Sequence, residues 1–158
     1  SNYPLVAIDT TQKYLNLMHK IANHNSKKFL YATWSYPNIL KNNNLSTPSS
    51  KIIEDKLENI KPSLDFNILP VGRAFDLFQL RFPNQTLFTS DNKHPNPIGS
   101  YLAACVIFSK ISNQSSLGFP RRVFEKNNNE KDIYYFIVEE KMAKKCQLIA
   151  DEIVFDSN

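Results

Sequence analysis

Glycine is scarce in this chain, with three residues in 158, Gly72, Gly99 and Gly118. Each falls at a strand end, a helix entrance or a loop, where a backbone role is expected. Cysteine is as rare. Cys105 and Cys146 both fall on predicted buried helix faces, where Cys acts as a small hydrophobe, and two such residues define neither a redox compartment nor a metal site. No run approaches the roughly 20 apolar residues that a membrane span requires. The opening SNYPLV has neither a basic nor an apolar leader region, so no secretory signal is visible. It also lacks an initiating Met, which reads as a processed or trimmed product. A basic stripe is missing too. The net charge is +4, but Lys27–Lys28, Arg121–Arg122 and Lys144–Lys145 are separated by acids, so no nucleic-acid partner is expected.

What is present is an ordinary globular composition, 42% hydrophobic and 12% aromatic, long enough for one domain with a substantial core. No internal repeat is found. Three Asn-x-Ser/Thr sequons, at Asn44, Asn84 and Asn113, follow from an Asn-rich composition and matter only in a secreted eukaryotic protein.

The apolar spacing predicts the elements in turn. Tyr14, Leu17, Met18 and Ile21 mark a helix capped by Asp9 or Thr10 and carrying His19 and His24, both read as non-ligand histidines. Residues 27–34, KKFLYATW, have the length and composition of a buried strand, with Trp34 as a core or pocket wall. A polar loop over 38–50 leads to a helix bearing Ile53, Leu57 and Ile60. Residues 65–72 read as a second strand, and 73–82 as a short helix whose Phe75, Phe78 and Phe82 form a core stripe.

Asp91 and His94 then sit in a loop kept non-helical by Pro95 and Pro97, before a helix apolar nearly all round. Asn96 is its expected N-cap and Pro97 its first residue. Beyond Ile111 the chain loosens, KNNNEK is a surface loop, and IYYFIV has strand propensity. Met142, Cys146, Ile149, Ala150 and Ile153 predict an amphipathic terminal helix. The alternation of helices and strands reads as an α/β sandwich with parallel strands. Two strands are few for such a sheet, so its first strands are expected to lie elsewhere, in an N-terminal segment or a second chain.

An Asp three residues before a His is able to orient the imidazole and stabilise its cation, leaving the other ring nitrogen to take a proton from a serine. Asp91 and His94 alone are too few ligands for a metal, and no other His or Cys cluster lies nearby. No metal and no cofactor is expected.

DNKHPNPIGSYLAA resembles the C-terminal motif of the SGNH (GDSL-type) hydrolases, Asp-x-x-His-Pro followed by Gly. YATWSYP resembles the end of a central strand of that family and ILPVGRAF the strand and turn after it. HPNPIGSYLAACVIF, SSLGFP and EEKMAKKCQLIADEIV are similar to a bacterial branch of SGNH-like domains. The likeness extends over most of residues 1–154. It implies that residues 1–158 form a single domain, the C-terminal portion of a three-layer α/β/α, flavodoxin-like sandwich with a parallel sheet. It further implies ester hydrolysis, with His94 as general base and then acid, Asp91 orienting it, and a small-molecule or glycan ester as substrate.

The family's nucleophile lies in a Gly-Asp-Ser or Gly-Asn-Ser turn after its first strand, and this chain contains no such turn. Ser35, Ser90 and Ser100 stand in other contexts, and Ser49–Ser50 look like helix caps. Of the family's oxyanion donors, only Asn2 falls near an expected position. The serine is therefore expected upstream. The alternative is an SGNH-like domain without a nucleophile that serves in binding or as a scaffold.

Overall fold

The computed structural model describes residues 8–23, 25–36, 49–60 and 65–156. Helix α1 spans Ile8–Ile21, strand β1 Phe29–Tyr31, helix α2 Ser49–Ile60, strand β2 Asn67–Leu69 and helix α3 Val71–Arg81. Helix α4 follows at Pro97–Ser112, then strands β3 (Arg122–Lys126) and β4 (Asp132–Ile137), and helix α5 (Glu140–Phe155). Among the described residues this is a mixed α/β protein with five helices, one parallel strand pair and one antiparallel pair.

β1 and β2 pair in parallel, Phe29 opposite Asn67, Leu30 opposite Ile68 and Tyr31 opposite Leu69. The pairing runs past both strands, with Asn67 N–H donating to Lys28 O and Ala32 N–H to Leu69 O. Neighbouring residues of each strand enter different apolar clusters, as the two-residue period of a strand requires. Leu30, Ala32, Phe66 and Ile68 pack with Leu15 of α1 and with Leu57 and Ile60 of α2. Leu69 joins the larger cluster of α3, α4 and α5, which includes Phe75, Phe78, Leu102, Val106, Cys146 and Ile149.

The parallel pair lies within the two expected segments but is shorter than either. α3 begins at Val71, so Gly72 belongs to the helix rather than to the strand end. A Cβ at Gly72 would stand 2.2 Å from Thr33 O, so the helix enters against the backbone that follows β1. Phe75 and Phe78 are fully buried, as the aromatic stripe predicts, and Phe82 packs against the same cluster.

Two readings of the sequence change. α1 forms, but it starts at Ile8, which puts Asp9 and Thr10 inside its first turn. Its stripe of Tyr14, Leu17, Met18 and Ile21 is exposed, and Leu15 is the residue that enters the core. The loosened segment after α4 leads into a strand that spacing does not reveal, and IYYFIV, which has strand propensity, pairs with it in an antiparallel hairpin. Both hairpin strands are exposed almost throughout, so neither shows an inside–outside alternation.

α4 and α5 are locked together by polar contacts at both ends. Gln147 Nε2 donates to Tyr101 Oη at 2.7 Å and to Phe119 O at 3.1 Å. Asp151 accepts from Ser116 N–H, the Ser116 and Ser109 hydroxyls, and the Ser115 hydroxyl. Cys105 and Cys146 are fully buried between these helices, and burial pushes both thiols up to about 12. That is the behaviour of inert core cysteines.

Candidate active site

The loop carrying Asp91 and His94 is a closed, hydrogen-bonded structure. Phe88 and Pro95 form an isolated antiparallel bridge. Thr89 N–H donates to His94 O at 2.9 Å, Asn96 N–H to Leu87 O at 2.9 Å, and Asn92 N–H to Thr89 O at 3.0 Å. Asn92 takes the left-handed conformation at φ 55°, which Asn tolerates better than most residues and which reverses the chain at the tip.

The two oxygens of Asp91 have separate tasks. Oδ1 accepts from the Thr89 hydroxyl at 2.7 Å, from Lys93 N–H at 2.9 Å and from His94 N–H at 3.0 Å. Oδ2 faces His94 Nδ1 at 2.5 Å. The three-residue spacing has this physical meaning. The amides two and three residues beyond an Asp reach one carboxylate oxygen, and the turn they form returns the third side chain to the other oxygen. With the Thr89 hydroxyl first among these donors, hydrogen bonds hold the Asp91 carboxyl well below the usual carboxylate range. An ionised Asp91 is an acceptor only, so His94 Nδ1 carries a proton, and in the neutral imidazole Nε2 is then the nitrogen with the lone pair. His94 is 79% exposed, and no described residue is hydrogen-bonded to Nε2.

α4 fixes the C-terminal side of this loop. Asn96 Oδ1 accepts from Ile98 N–H at 2.9 Å and Gly99 N–H at 3.0 Å, the expected N-cap with Pro97 as first helical residue. Its Nδ2 donates to Thr86 O at 2.8 Å, tying helix entrance to loop entrance. Gly99 is required by contact: a Cβ there would lie 2.3 Å from Leu87 O.

The loop also reaches β1. Trp34, three residues past the strand, donates its Nε1–H to Lys93 O at 3.1 Å. Its ring stacks on Phe75 with centroids 4.6 Å apart and meets Phe88 edge-on. The loop therefore lies at the carboxyl end of β1, the edge at which open α/β proteins place their sites. The sequence marks Trp34 as a wall, but nothing in the spacing links residues 34 and 93.

Of the serines named from the sequence, Ser90 lies within the loop and the others outside it. Ser90 and Ser100 are exposed, and Ser35 and Ser50 are buried. The Ser50 hydroxyl donates to Asp76 Oδ1 at 3.0 Å and accepts from Ser35 N–H, so it bridges β1's end to α3 instead of capping its own helix. Among the described residues no serine hydroxyl is hydrogen-bonded to His94. His19 packs edge-on against Phe66 rather than lying free on the surface. His24, Asn2 and the sequon at Asn44 lie outside the described residues.

No group of three or more His, Cys, Asp or Glu converges as a metal site among the described residues, and no helix there is long and apolar enough to cross a membrane. A cavity of about 710 Å³ lies between the 117–121 segment and the first turns of α5. None of its lining residues belongs to the Asp91–His94 loop. Comparison with family models, with curated proteins and with solved structures finds no match to this chain.

Proposed function

We propose that this chain carries the acid–base half of an SGNH-type ester hydrolase, with His94 as general base and then general acid and Asp91 as its orienting carboxylate. The observation that carries the reading is the division of labour at Asp91. One oxygen is committed to the loop and the other to His94 Nδ1, which leaves Nε2 open to solvent. In this reading Nε2 takes the proton of a serine hydroxyl as its oxygen attacks the ester carbonyl carbon. The imidazolium then gives that proton to the departing alcohol, and a water repeats the sequence to release the acid. Asp91 stays ionised throughout and stabilises the imidazolium.

The serine comes from a segment outside the described residues, upstream in the same protein or on a second chain. The same segment completes the sheet beyond β1, giving a three-layer, flavodoxin-like sandwich. Alternate strand residues entering separate helical clusters support that architecture. A small acyl or glycan ester is the substrate class.

The test uses full-length protein and a p-nitrophenyl short-chain ester. His94→Ala is expected to lower the rate by about 10²–10⁴-fold, the usual share of a general base. Equal rates would remove His94 from the chemistry. One observation favours a second reading, a binding or scaffold domain on the same fold: no described serine engages His94. Absence of a Gly-Asp-Ser or Gly-Asn-Ser turn from the intact gene, together with no ester turnover, would select it.

A further inference from the structure

Trp34 and Asp91 are joined through a single peptide plane. The Lys93 carbonyl accepts from the indole Nε1–H at 3.1 Å, and the His94 N–H of that same peptide donates to Asp91 Oδ1 at 3.0 Å. Asp91 Oδ2 in turn meets His94 Nδ1. The order is therefore indole N–H, peptide 93–94, carboxylate, imidazole. Hydrogen bonds arranged in series polarise one another, so each is strengthened by the next.

The anchor of this series is rigid. Trp34 is half-buried, stacked on the fully buried Phe75 with an interplanar angle of 13°, and edge-on to the buried Phe88. The other end is not rigid in itself, since Asp91, Asn92, Lys93 and His94 are all exposed. An exposed loop keeps a side chain in one geometry only when a packed element holds it.

We propose that Trp34 is a positioning residue of this site, which sets the direction of the His94 imidazole through the Lys93 carbonyl without touching a reacting atom. This inference deepens the hydrolase reading and borrows its chemistry for one of the readouts below. A displacement of about 1 Å at a reacting group is enough to cost up to about a hundredfold in rate. The indole N–H thus matters apart from the ring's packing.

The experiment separates the N–H from the ring in the full-length protein. Trp34→Phe keeps an aromatic ring against Phe75 and removes the donor. Phe75→Leu loosens the stack and keeps the donor. Trp34 is the one tryptophan of this sequence, so within it the indole N–H resonance has no competitor. In wild type that proton is expected to exchange at least about tenfold more slowly than a free indole. In Trp34→Phe the far-downfield Nδ1–H resonance of His94 is expected to broaden or vanish, with His94 amide exchange about tenfold faster. kcat is expected to fall about five- to tenfold with KM within about twofold. Phe75→Leu is expected to lower the melting temperature while leaving the His94 resonance in place.

A wild-type indole proton exchanging at the free rate would overturn the proposal, even if Trp34→Phe failed to fold. So would a folded Trp34→Phe that keeps the His94 resonance and amide protection. Should the exchange and resonance results hold in a protein without ester turnover, the hydrolase reading falls and the positioning role of Trp34 stands.

Discussion

Asp91 Oδ2 lies 2.5 Å from His94 Nδ1, while its Oδ1 is already held by three donors from within the same loop. The carboxylate is therefore occupied before the imidazole arrives, and the pair belongs to a structure rather than to a chance encounter of two surface side chains. Hydrogen bonding lowers the Asp91 pKa. The sign follows from linkage: a depressed carboxyl contributes loop order that is complete above its unfolded value near 4 and is lost as pH falls through its folded value. Asp91→Asn is expected to loosen the 93–94 amides at all pH values above 4, whereas wild-type protection persists well below that. Amide exchange at Lys93 and His94 as a function of pH checks this, and identical profiles would refute it. In the ester assay Asp91→Asn is expected to cost at least about a hundredfold, because an amide presented through its NH₂ leaves Nδ1 without an acceptor.

The Asn96 side chain makes four hydrogen bonds, accepting two from the first turn of α4 and donating two to Thr86 O and Phe88 O. Asn96→Asp keeps the cap and loses the two donations. Asn96→Ala loses both. Thermal or urea unfolding is expected to show a loss of about 1–2 kcal/mol for the alanine variant, the range for an N-cap. The aspartate variant is expected to lose less. An aspartate loss equal to that of the alanine variant would mean that the link to Thr86 O, and not the cap, holds the helix entrance. Gly99→Ala is expected to destabilise by about 1–3 kcal/mol, because its Cβ meets backbone at Leu87 O that cannot rotate away. This outcome is opposite in sign to the gain expected from helix propensity alone.

These local features are also the ones the sequence displays most openly. The loop, its cap and its glycine are separated by a few residues, and short-range chemistry is written in spacing. The apolar row of α5 is readable because one side of that helix is buried, and α4 because it is apolar nearly all round behind a clear N-cap. In α1 the spacing points to the stripe of Tyr14, Leu17, Met18 and Ile21, but Leu15 is apolar as well, and only packing decides which of them turns inward. Spacing does not reveal β3, because Arg122, Glu125 and Lys126 break any alternation in a strand that buries nothing. Trp34 to Lys93 and Ser50 to Asp76 join residues 59 and 26 apart, and no periodicity reports such pairs.

The polar hub at Asp151 is another long-range feature with a measurable consequence. It accepts from the Ser109 hydroxyl on α4 and from Ser115 and Ser116 in the turn after it, so one carboxylate joins α4, that turn and α5. Asp151→Ala leaves the buried Ser109 and Ser116 hydroxyls and the Ser116 N–H without this acceptor. Each orphaned donor costs about 1–3 kcal/mol at a buried site. The Ser116 hydroxyl retains Gln147 O at 3.2 Å, which limits the total. The urea midpoint of Asp151→Ala is therefore expected to drop by the equivalent of about 2–4 kcal/mol. Ser115→Ala, which removes one exposed donor, is expected to stay within about 0.5 kcal/mol. Equal midpoints for Asp151→Ala and wild type would show that the hub is incidental.

Asp76 of α3 makes the stability of the β1–α2–α3 junction depend on pH. Its Oδ1 accepts from the Ser50 hydroxyl, and its Oδ2 is sealed from solvent without a partner among the described residues. Burial pushes its pKa up to about 6, opposed by the Ser50 hydrogen bond. Because folding raises this pKa, the folded state binds the proton more tightly. The contribution to stability is complete below the unfolded value near 4 and is lost as pH rises through 6. At roughly 1.4 kcal/mol per pH unit the whole swing is at most about 3 kcal/mol, and partial exposure of the residue reduces it to about 1–2. Asp76→Asn keeps the acceptor for Ser50 and removes the titration. The difference in unfolding free energy between wild type and Asp76→Asn is therefore expected to shift toward the variant between pH 4 and 7, with no further change above that. Absolute stabilities will not decide it, since the asparagine buries an NH₂ of its own. The slope of the difference against pH will, and a flat difference would return Asp76 to an ordinary carboxylate.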